Sequence, residues 1–482
     1  MGYSDFLRQK CYIGGDWCDA DDGDTLEVTD PGTGQFIGTV PRMGANETRR
    51  AIEAAEKALP GWRALTAGER ARKLRALFDL MMQYQDELGE LLSREQGKPL
   101  AEGRGEIAYG ASYIEWFAEE GRRAYGDVIP SHASNRRIVV LKQGIGVVGA
   151  ITSWNFPSAL VSRKLAPALA AGCTIVIKPA SATPFSALAI GLLCDMAGIP
   201  AGVVNVVTGS AAAIGGELTG NPVVRKISFT GSTEIGRDLL RQSAGTIKKC
   251  SMELGGNAPF LVFDDADVDA AVEGAMISKF RNGGQTCVCT NRFYVQDGIH
   301  DEFVGKLAMR VGQLKLGYGL DEGIQVGPLI DEKAVEKVEE HLADALSGGA
   351  RILVGGKRGD LGGSYFTPTV LADVRPHMKL AQEETFGPLA GVIRFTDEAD
   401  AIRMANDSEF GLASYFYTRD ISRVWRVAEA LEAGMVGINT GLISTEIAPF
   451  GGIKQSGLGR EGSKYGLEDF MEAKYLCMGL EV

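Results

Sequence analysis

The sequence predicts an α/β protein in which two blocks of alternating strands and helices each build a largely parallel sheet. The first block begins at Gly144, where the strand-like GVVGAIT is followed by helix-like and strand-like segments in turn. The second block extends roughly over residues 257–439 and begins with the strand-like PFLVF. Such alternation favours β-α-β units, because parallel neighbours need a long crossover connection.

The elements outside the two blocks are predicted from local pattern. Residues 1–45 should form short strands and turns, and residues 46–120 show helical periodicity with Asn46 as the expected first cap. The segment Arg136–Gln143 should be a strand, and the tail 470–482 alternates like an added edge strand.

Within the first block the strands and helices alternate regularly. The expected strands are Thr174–Lys178, Gly202–Val207 and Lys226–Phe229, and the expected helices are Ala159–Ala171, Thr183–Met196, Ser210–Leu218 and Thr233–Gln242.

Composition narrows the class of protein. The chain has 482 residues, 45% of them hydrophobic, and a net charge of −12, which is typical of a globular protein and unfavourable for nucleic-acid binding. The N-terminus lacks the apolar stretch of a signal peptide, and the most apolar segment, near residues 165–177, is too short for a bilayer. We therefore expect a cytoplasmic protein without a membrane partner. Eight scattered cysteines and four histidines predict no metal site.

The glycine pattern Gly144-Ile-Gly146-Val-Val-Gly149 is not expected to bind a dinucleotide, because it lies within a strand pattern. A nucleotide would instead bind at the carboxyl ends of the parallel strands. There the strand TIVIK ends in Lys178, followed by Pro179, Ala180 and Ser181 without a carboxylate, which favours NADP and leaves NAD possible. A solvated strand-end lysine is the alternative. Gly231 and Ser232, between a strand and a helix, could bind a phosphate.

Three residues are candidates for catalysis. Cys287 follows a Gly-Gly loop and polar neighbours, a setting that suits a nucleophile more than a core cysteine. No histidine is near it in the sequence, so its partner should be a carboxylate, and Glu253 between Met and Leu is the best candidate for a general base. Asn155 could donate to an oxyanion. The alternatives are a solvated strand-end Glu253 and an Asn155 that only shapes a turn.

Together these segments resemble the aldehyde dehydrogenase superfamily. The matching segments occur in the family's order along nearly the whole chain: SWNFP, KPAS, FTGSTEIG, MELGGNAP, FRNGGQTC, EETFGP and PFGGIKQSGLGREGSKYG.

The resemblance implies a fold and a set of roles. It implies a Rossmann-like cofactor domain (residues 1–119 and 145–255), an α/β catalytic domain (256–440) and a small β oligomerisation element (120–144 and 460–482), assembled as a homodimer or homotetramer. Cys287 would be the nucleophile, Glu253 the base, and Asn155 with the Cys287 amide the oxyanion hole. The implied cofactor contacts are Trp154, Asn155, Lys178, Pro179, Ala180, Ser181, Gly231, Ser232, Leu254, Glu384 and Phe386.

Within the superfamily the chain is most similar to succinate-semialdehyde dehydrogenases. That likeness implies a carboxylate site made by Arg163, Arg281 and Ser444, which suits a semialdehyde acid because arginine binds carboxylates bidentately. For either arginine a surface salt bridge is the alternative. Glutarate semialdehyde is one methylene longer and is not separated from succinate semialdehyde by the sequence. A cysteine-dependent esterase is the alternative from another class.

Cys289 is a candidate redox residue. In an extended segment Cys287 and Cys289 would share a face, and a disulfide between them would block the nucleophile. A spare cysteine is the alternative, because such close spacing fits disulfide geometry poorly.

Overall fold

The computed structural model describes residues 2–481. The N-terminal part contains β1 (Cys11–Ile13), β2 (Asp16–Cys18), β3 (Thr25–Thr29), β4 (Phe36–Pro41), α1 (Ala45–Ala64), α2 (Ala67–Gln83), α3 (Gln85–Gln96) and α4 (Leu100–Glu120).

The first block and the strands before it are β5 (Asp127–Ile129), β6 (Arg136–Gly144), β7 (Val147–Ile151), α5 (Pro157–Ala170), β8 (Thr174–Lys178), α6 (Phe185–Met196), β9 (Val204–Val206), α7 (Ala211–Gly220), β10 (Val224–Thr230), α8 (Thr233–Ser243) and β11 (Lys249–Glu253).

The second block and the tail are β12 (Ala258–Val262), α9 (Val268–Phe280), β13 (Thr290–Gln296), α10 (His300–Val311), α11 (Glu332–Ser347), β14 (Arg351–Val354), β15 (Thr369–Ala372), α12 (Lys379–Gln382), β16 (Leu389–Phe395), α13 (Glu398–Asn406), β17 (Phe410–Gly411), β18 (Ala413–Tyr417), α14 (Ile421–Ala430), β19 (Met435–Ile438), β20 (Ile453–Lys454), β21 (Gly457–Leu458), α15 (Ser463–Glu468) and β22 (Met471–Gly479).

The predicted elements are present, with differences at their ends. The cap predicted at Asn46 is wrong: the N-cap is Gly44, two residues earlier, and Glu47 reaches back to accept a hydrogen bond from the Gly44 N–H at 3.0 Å. A side-chain carboxylate thus replaces the expected asparagine cap. As expected, the glycine pattern after Gly144 does not open a helix, because it joins β6 to β7.

The first block supplies the centre of an eight-stranded sheet with the strand order β2-β1-β9-β8-β7-β10-β11-β21, whose outer strands come from the N-terminal part and the tail. Its five inner strands from β9 to β11 run parallel, and their register sets their ends side by side. Ile151 lies opposite both Lys178 and Phe229, and Thr230 lies opposite Glu253. The carboxyl ends therefore bring sequence-distant residues to a single edge of the sheet.

The second block forms a seven-stranded sheet with the order β14-β15-β16-β13-β12-β18-β19, parallel except for β14. A third sheet pairs β22 with β6 and β6 with β5, all antiparallel, so that the tail is an edge strand as predicted. Within residues 2–481 every helix is too short or too polar to traverse a bilayer.

The apolar core on α5 supports the site, because this helix begins directly after the segment that carries Asn155. Leu169 of α5 is fully buried. Replacement of Leu169 by alanine should lower the free energy of unfolding by about 2–5 kcal/mol, since a large-to-small change leaves a cavity. Urea unfolding measures the loss. The matched change at Leu361, which is 62% exposed, should stay within about 0.5 kcal/mol. An equal loss at both positions would contradict this packing.

Candidate active site

A cavity of ≈ 280 Å³ lies where the first sheet's carboxyl edge meets the second block. It brings together most of the residues that the sequence singled out. Those that line it are Trp154, Asn155, Arg163, Gly231, Ser232, Glu253, Leu254, Arg281, Cys287, Glu384, Phe386 and Ser444.

The predicted residues from Lys178 to Ser181 lie outside this cavity lining, at the neighbouring strand end. Lys178 is buried, its Nζ donates to the Pro179 carbonyl at 2.9 Å, and burial lowers the pKa of its ammonium to about 8. Ser181 is exposed. The Thr183 hydroxyl donates to the Trp154 carbonyl at 3.3 Å, which ties this loop to the cavity wall. The solvated-lysine alternative does not hold for Lys178.

Cys287 lies on a short loop between the second block's helix α9 and strand β13. Burial raises the pKa of its thiol to about 12, the carboxyls of Glu384 and Glu253 add to that rise, and Arg163 opposes it. A Cβ on Gly256 would lie 2.3 Å from the Cys287 carbonyl, so the glycine permits the loop after Glu253 to pack directly on the cysteine backbone. The thiol is therefore protonated at neutral pH until a base or ligand activates it.

Glu253 ends strand β11 and is 3% exposed. Neither of its carboxyl oxygens has a hydrogen-bond partner among residues 2–481. Burial raises its pKa well above the usual range, and the neighbouring Glu461 adds to that rise. The solvated alternative is therefore wrong for Glu253. An unpartnered carboxyl of raised pKa in a cavity has the properties of a general base near neutrality.

The Asn155 side chain is held from several directions. Its Oδ1 accepts from the Ser153 hydroxyl at 2.7 Å, and its Nδ2 donates to the Gln285 carbonyl at 3.1 Å. An amide nitrogen carries two hydrogens, so the second is available to the cavity that Asn155 lines. This orientation suits donation to an oxyanion.

The opposite part of the cavity fits a nucleotide. Gly231 precedes Ser232, which caps α8 by accepting from Ile235, and a helix N-terminus attracts phosphate. A Cβ on Gly231 would lie 2.4 Å from the Phe229 ring, so a larger residue here would have to displace that ring.

Glu384 lies on the same side. Its Oε1 accepts from the Gly256 N–H at 3.1 Å, and burial raises its pKa to about 7. Phe386 and Trp154 pack edge to face at 5.5 Å and form an aromatic wall. A helix N-terminus, a half-buried carboxyl and an aromatic wall fit a nicotinamide dinucleotide.

The predicted carboxylate site has two different arginines. Arg163 is buried, its Nε lies 2.7 Å from Glu461 Oε2, and its guanidinium stacks 3.9 Å from the Phe450 ring. Its charge is therefore already balanced inside the protein. Arg281 is half-buried, with its guanidinium 5.2 Å from the Phe156 ring, and it lines the cavity together with Ser444.

Cys289 does not lie as expected. The premise of an extended segment is wrong, because the Cys289 N–H donates to the Thr286 carbonyl at 3.0 Å and closes a turn. Cys289 is buried and its sulfur lies 3.4 Å from Lys279 Nζ, whereas Cys287 faces the cavity; both thiols are free. A disulfide between them requires this turn to open first.

Sequence reasoning missed several charged residues around the cavity, namely Lys98, Glu106, Lys164, Lys337 and Glu461. One signal could have found Glu461: the segment VSRKLAPALAA places two cations in an otherwise apolar helix. Buried cations need a buried counter-charge, and Glu461 contacts both Arg163 and Lys164.

The fold and the cavity define an α/β oxidoreductase of nucleotide-binding type, and comparison with known proteins shows its family. The chain belongs to the aldehyde dehydrogenase family, whose model matches residues 17–476. The glutarate-semialdehyde dehydrogenase of Pseudomonas aeruginosa is 66% identical over 98% of each chain. The succinate-semialdehyde dehydrogenase [NADP(+)] of Escherichia coli K12 is 65% identical over 99% of each.

A solved structure agrees with this placement. The crystal structure of an NADP-dependent enzyme from Escherichia coli superposes with a TM-score of 0.98 at 65% identity and covers 99% of both chains. The predicted fold class and family are confirmed.

The cysteines should differ in their reaction with iodoacetamide. At pH 7, without cofactor, Cys477 should be alkylated before Cys287, because hydrogen bonds from Tyr475 and Arg136 lower the pKa of the exposed Cys477 while burial raises that of Cys287. Peptide mass spectrometry at timed intervals gives both rates. The Cys287 rate should rise steadily between pH 7 and pH 10. A plateau for Cys287 near neutrality would contradict the raised pKa.

Proposed function

We propose that the protein oxidises succinate semialdehyde, or the acid one methylene longer, to the dicarboxylic acid with NADP. The observation that carries this proposal is the common cavity of Cys287, the unpartnered carboxyl of Glu253, and Arg281. Relatives that act on semialdehyde acids at 65–66% identity support it.

The reaction starts at Cys287. Its sulfur attacks the aldehyde carbon and forms a thiohemiacetal, while its proton passes to a basic group in the cavity. Asn155 Nδ2 and the Cys287 N–H donate to the developing oxyanion. Oxyanion donors of this kind contribute strongly, since the loss of one typically costs about 10²–10³-fold in rate.

The cofactor supplies a hydride acceptor when it is bound. Lys178, Pro179, Ala180 and Ser181 would contact the adenosine side, and the helix start at Gly231 and Ser232 would take the pyrophosphate. The remaining predicted contacts at the nicotinamide side are Trp154, Leu254, Glu384 and Phe386. The absence of a carboxylate between Lys178 and Asp195 leaves room for the 2′-phosphate of NADP.

Glu253 completes the turnover. After oxidation the acyl group is a thioester on Cys287, and Glu253 removes a proton from water so that the hydroxide attacks the thioester carbon. The C–S bond breaks, the acid leaves, and the thiol is regenerated. The raised pKa of Glu253 makes its carboxylate a strong enough base for this step.

The anionic end of the substrate would lie against Arg281 and Ser444, with Arg163 behind them. We assign the main role to Arg281, because Arg163 is already paired with Glu461. An arginine–carboxylate contact in a cavity lined by apolar groups is worth more than a surface pair.

The proposed domains are a cofactor domain (residues 1–119 and 145–255), a catalytic domain (256–440) and an oligomerisation element (120–144 and 460–482). The three-stranded sheet exposes apolar side chains, with Val128 81% and Tyr475 59% exposed, which supports a role in association as a homodimer or homotetramer. We place the protein in the cytoplasm, where its eight cysteines would stay reduced.

Arg281→Met should separate the substrates. The loss of a charge-assisted contact worth about 1.5–3 kcal/mol should lower kcat/KM for succinate semialdehyde by about 10–150-fold. Initial rates at saturating NADP measure it. Hexanal, which has no carboxylate, should lose less than about threefold, and the matched change at exposed Arg403 should alter neither. An equal loss of kcat/KM for both aldehydes in Arg281→Met would show that Arg281 does not contact the substrate carboxylate.

Ser181→Glu should reverse the cofactor preference. A carboxylate here repels the 2′-phosphate of NADP and can accept from the 2′-hydroxyl of NAD. The ratio of kcat/KM for NADP over NAD should fall by at least about tenfold, since close like charges cost several kcal/mol. Ala182→Glu, at the exposed neighbour, is the control. If neither Ser181→Glu nor Ala182→Glu changes the ratio of kcat/KM for NADP over NAD, the placement of Ser181 at the 2′-phosphate is refuted.

The pH profile should report Glu253. The base acts when deprotonated, so the rate of thioester hydrolysis should fall as pH falls through its raised pKa, above the ordinary value of 4.5. Glu461→Gln should move this limb to lower pH, because it removes a nearby negative charge and frees Arg163 and Lys164. Single-turnover rates over pH 5–9 test both statements. A limb that shifts upward in Glu461→Gln would contradict the electrostatics.

A further inference from the structure

A buried ion pair lies directly behind the segment that carries Asn155. Lys98 Nζ and Glu106 Oε2 are 2.5 Å apart, and their side chains are 0% and 1% exposed. Neither residue lines the cavity. A buried pair of this kind pays a large desolvation penalty and is weak evidence for a stabilising role.

Both members of the pair also bind the Asn155 segment. Lys98 Nζ donates to the main-chain carbonyl of Asn155 at 2.8 Å and lies 3.9 Å from the centre of the Phe156 ring. Glu106 Oε1 accepts from the N–H groups of Ser158 and Ala159, at 2.9 and 3.2 Å, in the first turn of α5. The pair therefore holds both the Asn155–Phe156 peptide and the helix start that follows it.

The lysine is itself held firmly. Gly97 and Lys98 pack against the backbone of Gly319 and Gly327, where an added Cβ would lie 2.5 Å from the Lys98 carbonyl and 2.2 Å from the Gly97 carbonyl respectively. The Leu100 N–H also donates to the Gly319 carbonyl at 2.8 Å. The ammonium group is thus fixed relative to the second block, which supplies Gly319 and Gly327 as well as Cys287.

We propose that Lys98 and Glu106 are positioning residues that fix the Asn155 amide relative to Cys287, so that it meets the oxyanion at the right distance. Lys98 holds the Asn155 carbonyl, and Glu106 holds the start of α5. This inference rests on the proposed function, because it assigns no new reaction and acts through Asn155.

A second buried glutamate provides a natural control. Glu95 accepts from the N–H groups of Phe185 and Ser186, at 2.7 and 2.8 Å, and so caps α6 as Glu106 caps α5. Both carboxylates are buried. Glu95, however, lies on α3 and caps the helix that follows β8, and its hydrogen bonds do not include the Asn155 segment. Any effect of merely losing a buried carboxyl that caps a helix should appear at both glutamates.

The test is a double-mutant cycle. The variant Lys98→Met/Glu106→Gln removes both charges, keeps similar volumes and retains an amide oxygen for the α5 cap. It should lower kcat for NADPH formation from succinate semialdehyde by about 10²-fold, as small misplacements of catalytic groups do. The KM for NADP should stay within about twofold. On an Asn155→Ala background the same change should cost no more than about twofold, because no amide is left to position.

Two results would overturn the positioning role. One is that the pair replacement lowers kcat by the same factor with and without the Asn155 amide. The other is that Glu95→Gln reproduces the dependence of this effect on Asn155. Should the pair replacement fail to melt cooperatively, Lys98→Arg keeps the charge while shifting the donor, and the same cycle decides. A wild-type protein that reduces NADP with none of the semialdehydes would refute the proposed function instead, before any variant is compared.

Discussion

The site depends on keeping the Glu253 carboxyl buried beside the Cys287 thiol, with no hydrogen-bond partner among residues 2–481. Leaving a polar group unpaired inside a protein typically costs about 1–3 kcal/mol, so this arrangement persists only because the surrounding fold enforces it. Glu253 is the last residue of an inner strand, and its backbone is held by β10 on one side and β21 on the other. The hydrogen bonds of the sheet therefore offset the cost of the unpaired carboxyl, and the Glu253 side chain stays available to water.

The charged side chains near the Glu253 carboxyl neutralise one another. Glu461 forms ion pairs with both Arg163 and Lys164 of α5, and the three side chains are almost fully buried. Glu461 raises the pKa of Glu253 while the two cations lower it, so burial decides the direction of the shift. The Lys98–Glu106 pair holds the Asn155 segment in a similar way. Two buried charge clusters thus lie around the reacting atoms, and of their five members only Arg163 lines the cavity.

Much of the architecture could be predicted from the sequence. The strand β8 was predicted with its observed bounds, Thr174–Lys178, because a short apolar run between a helix-ending glycine and a proline permits few alternatives. The sequence also singled out Cys287, Glu253 and Asn155, since glycine loops and strand ends mark where side chains meet a ligand, and the structure places all three at one cavity. The end of a helix was harder to predict: α1 is capped by Glu47 from inside the helix rather than by Asn46.

The rest could not be predicted because it depends on contacts between distant segments. Glu461 is 208 residues from Glu253 in the chain, and no local pattern pairs the two. The Cys289 side chain points towards Lys279 of the preceding helix, and the alternation of side chains in an extended segment cannot predict this contact. Likewise, Arg163 and Arg281 cannot be told apart in the sequence. In the structure Arg163 is buried against Glu461, so that Arg281 is the arginine better suited to bind an exchangeable anion.

Trapping of the acyl group would test the central claim most directly. Glu253→Gln, which keeps the shape of the side chain but removes the base, is mixed with NADP and succinate semialdehyde, and the protein is analysed by intact mass and peptide mapping. The account predicts one equivalent of NADPH and a succinyl group on the peptide of Cys287, with no further turnover. Sustained turnover by this variant, or an acyl group on another cysteine, would contradict the account.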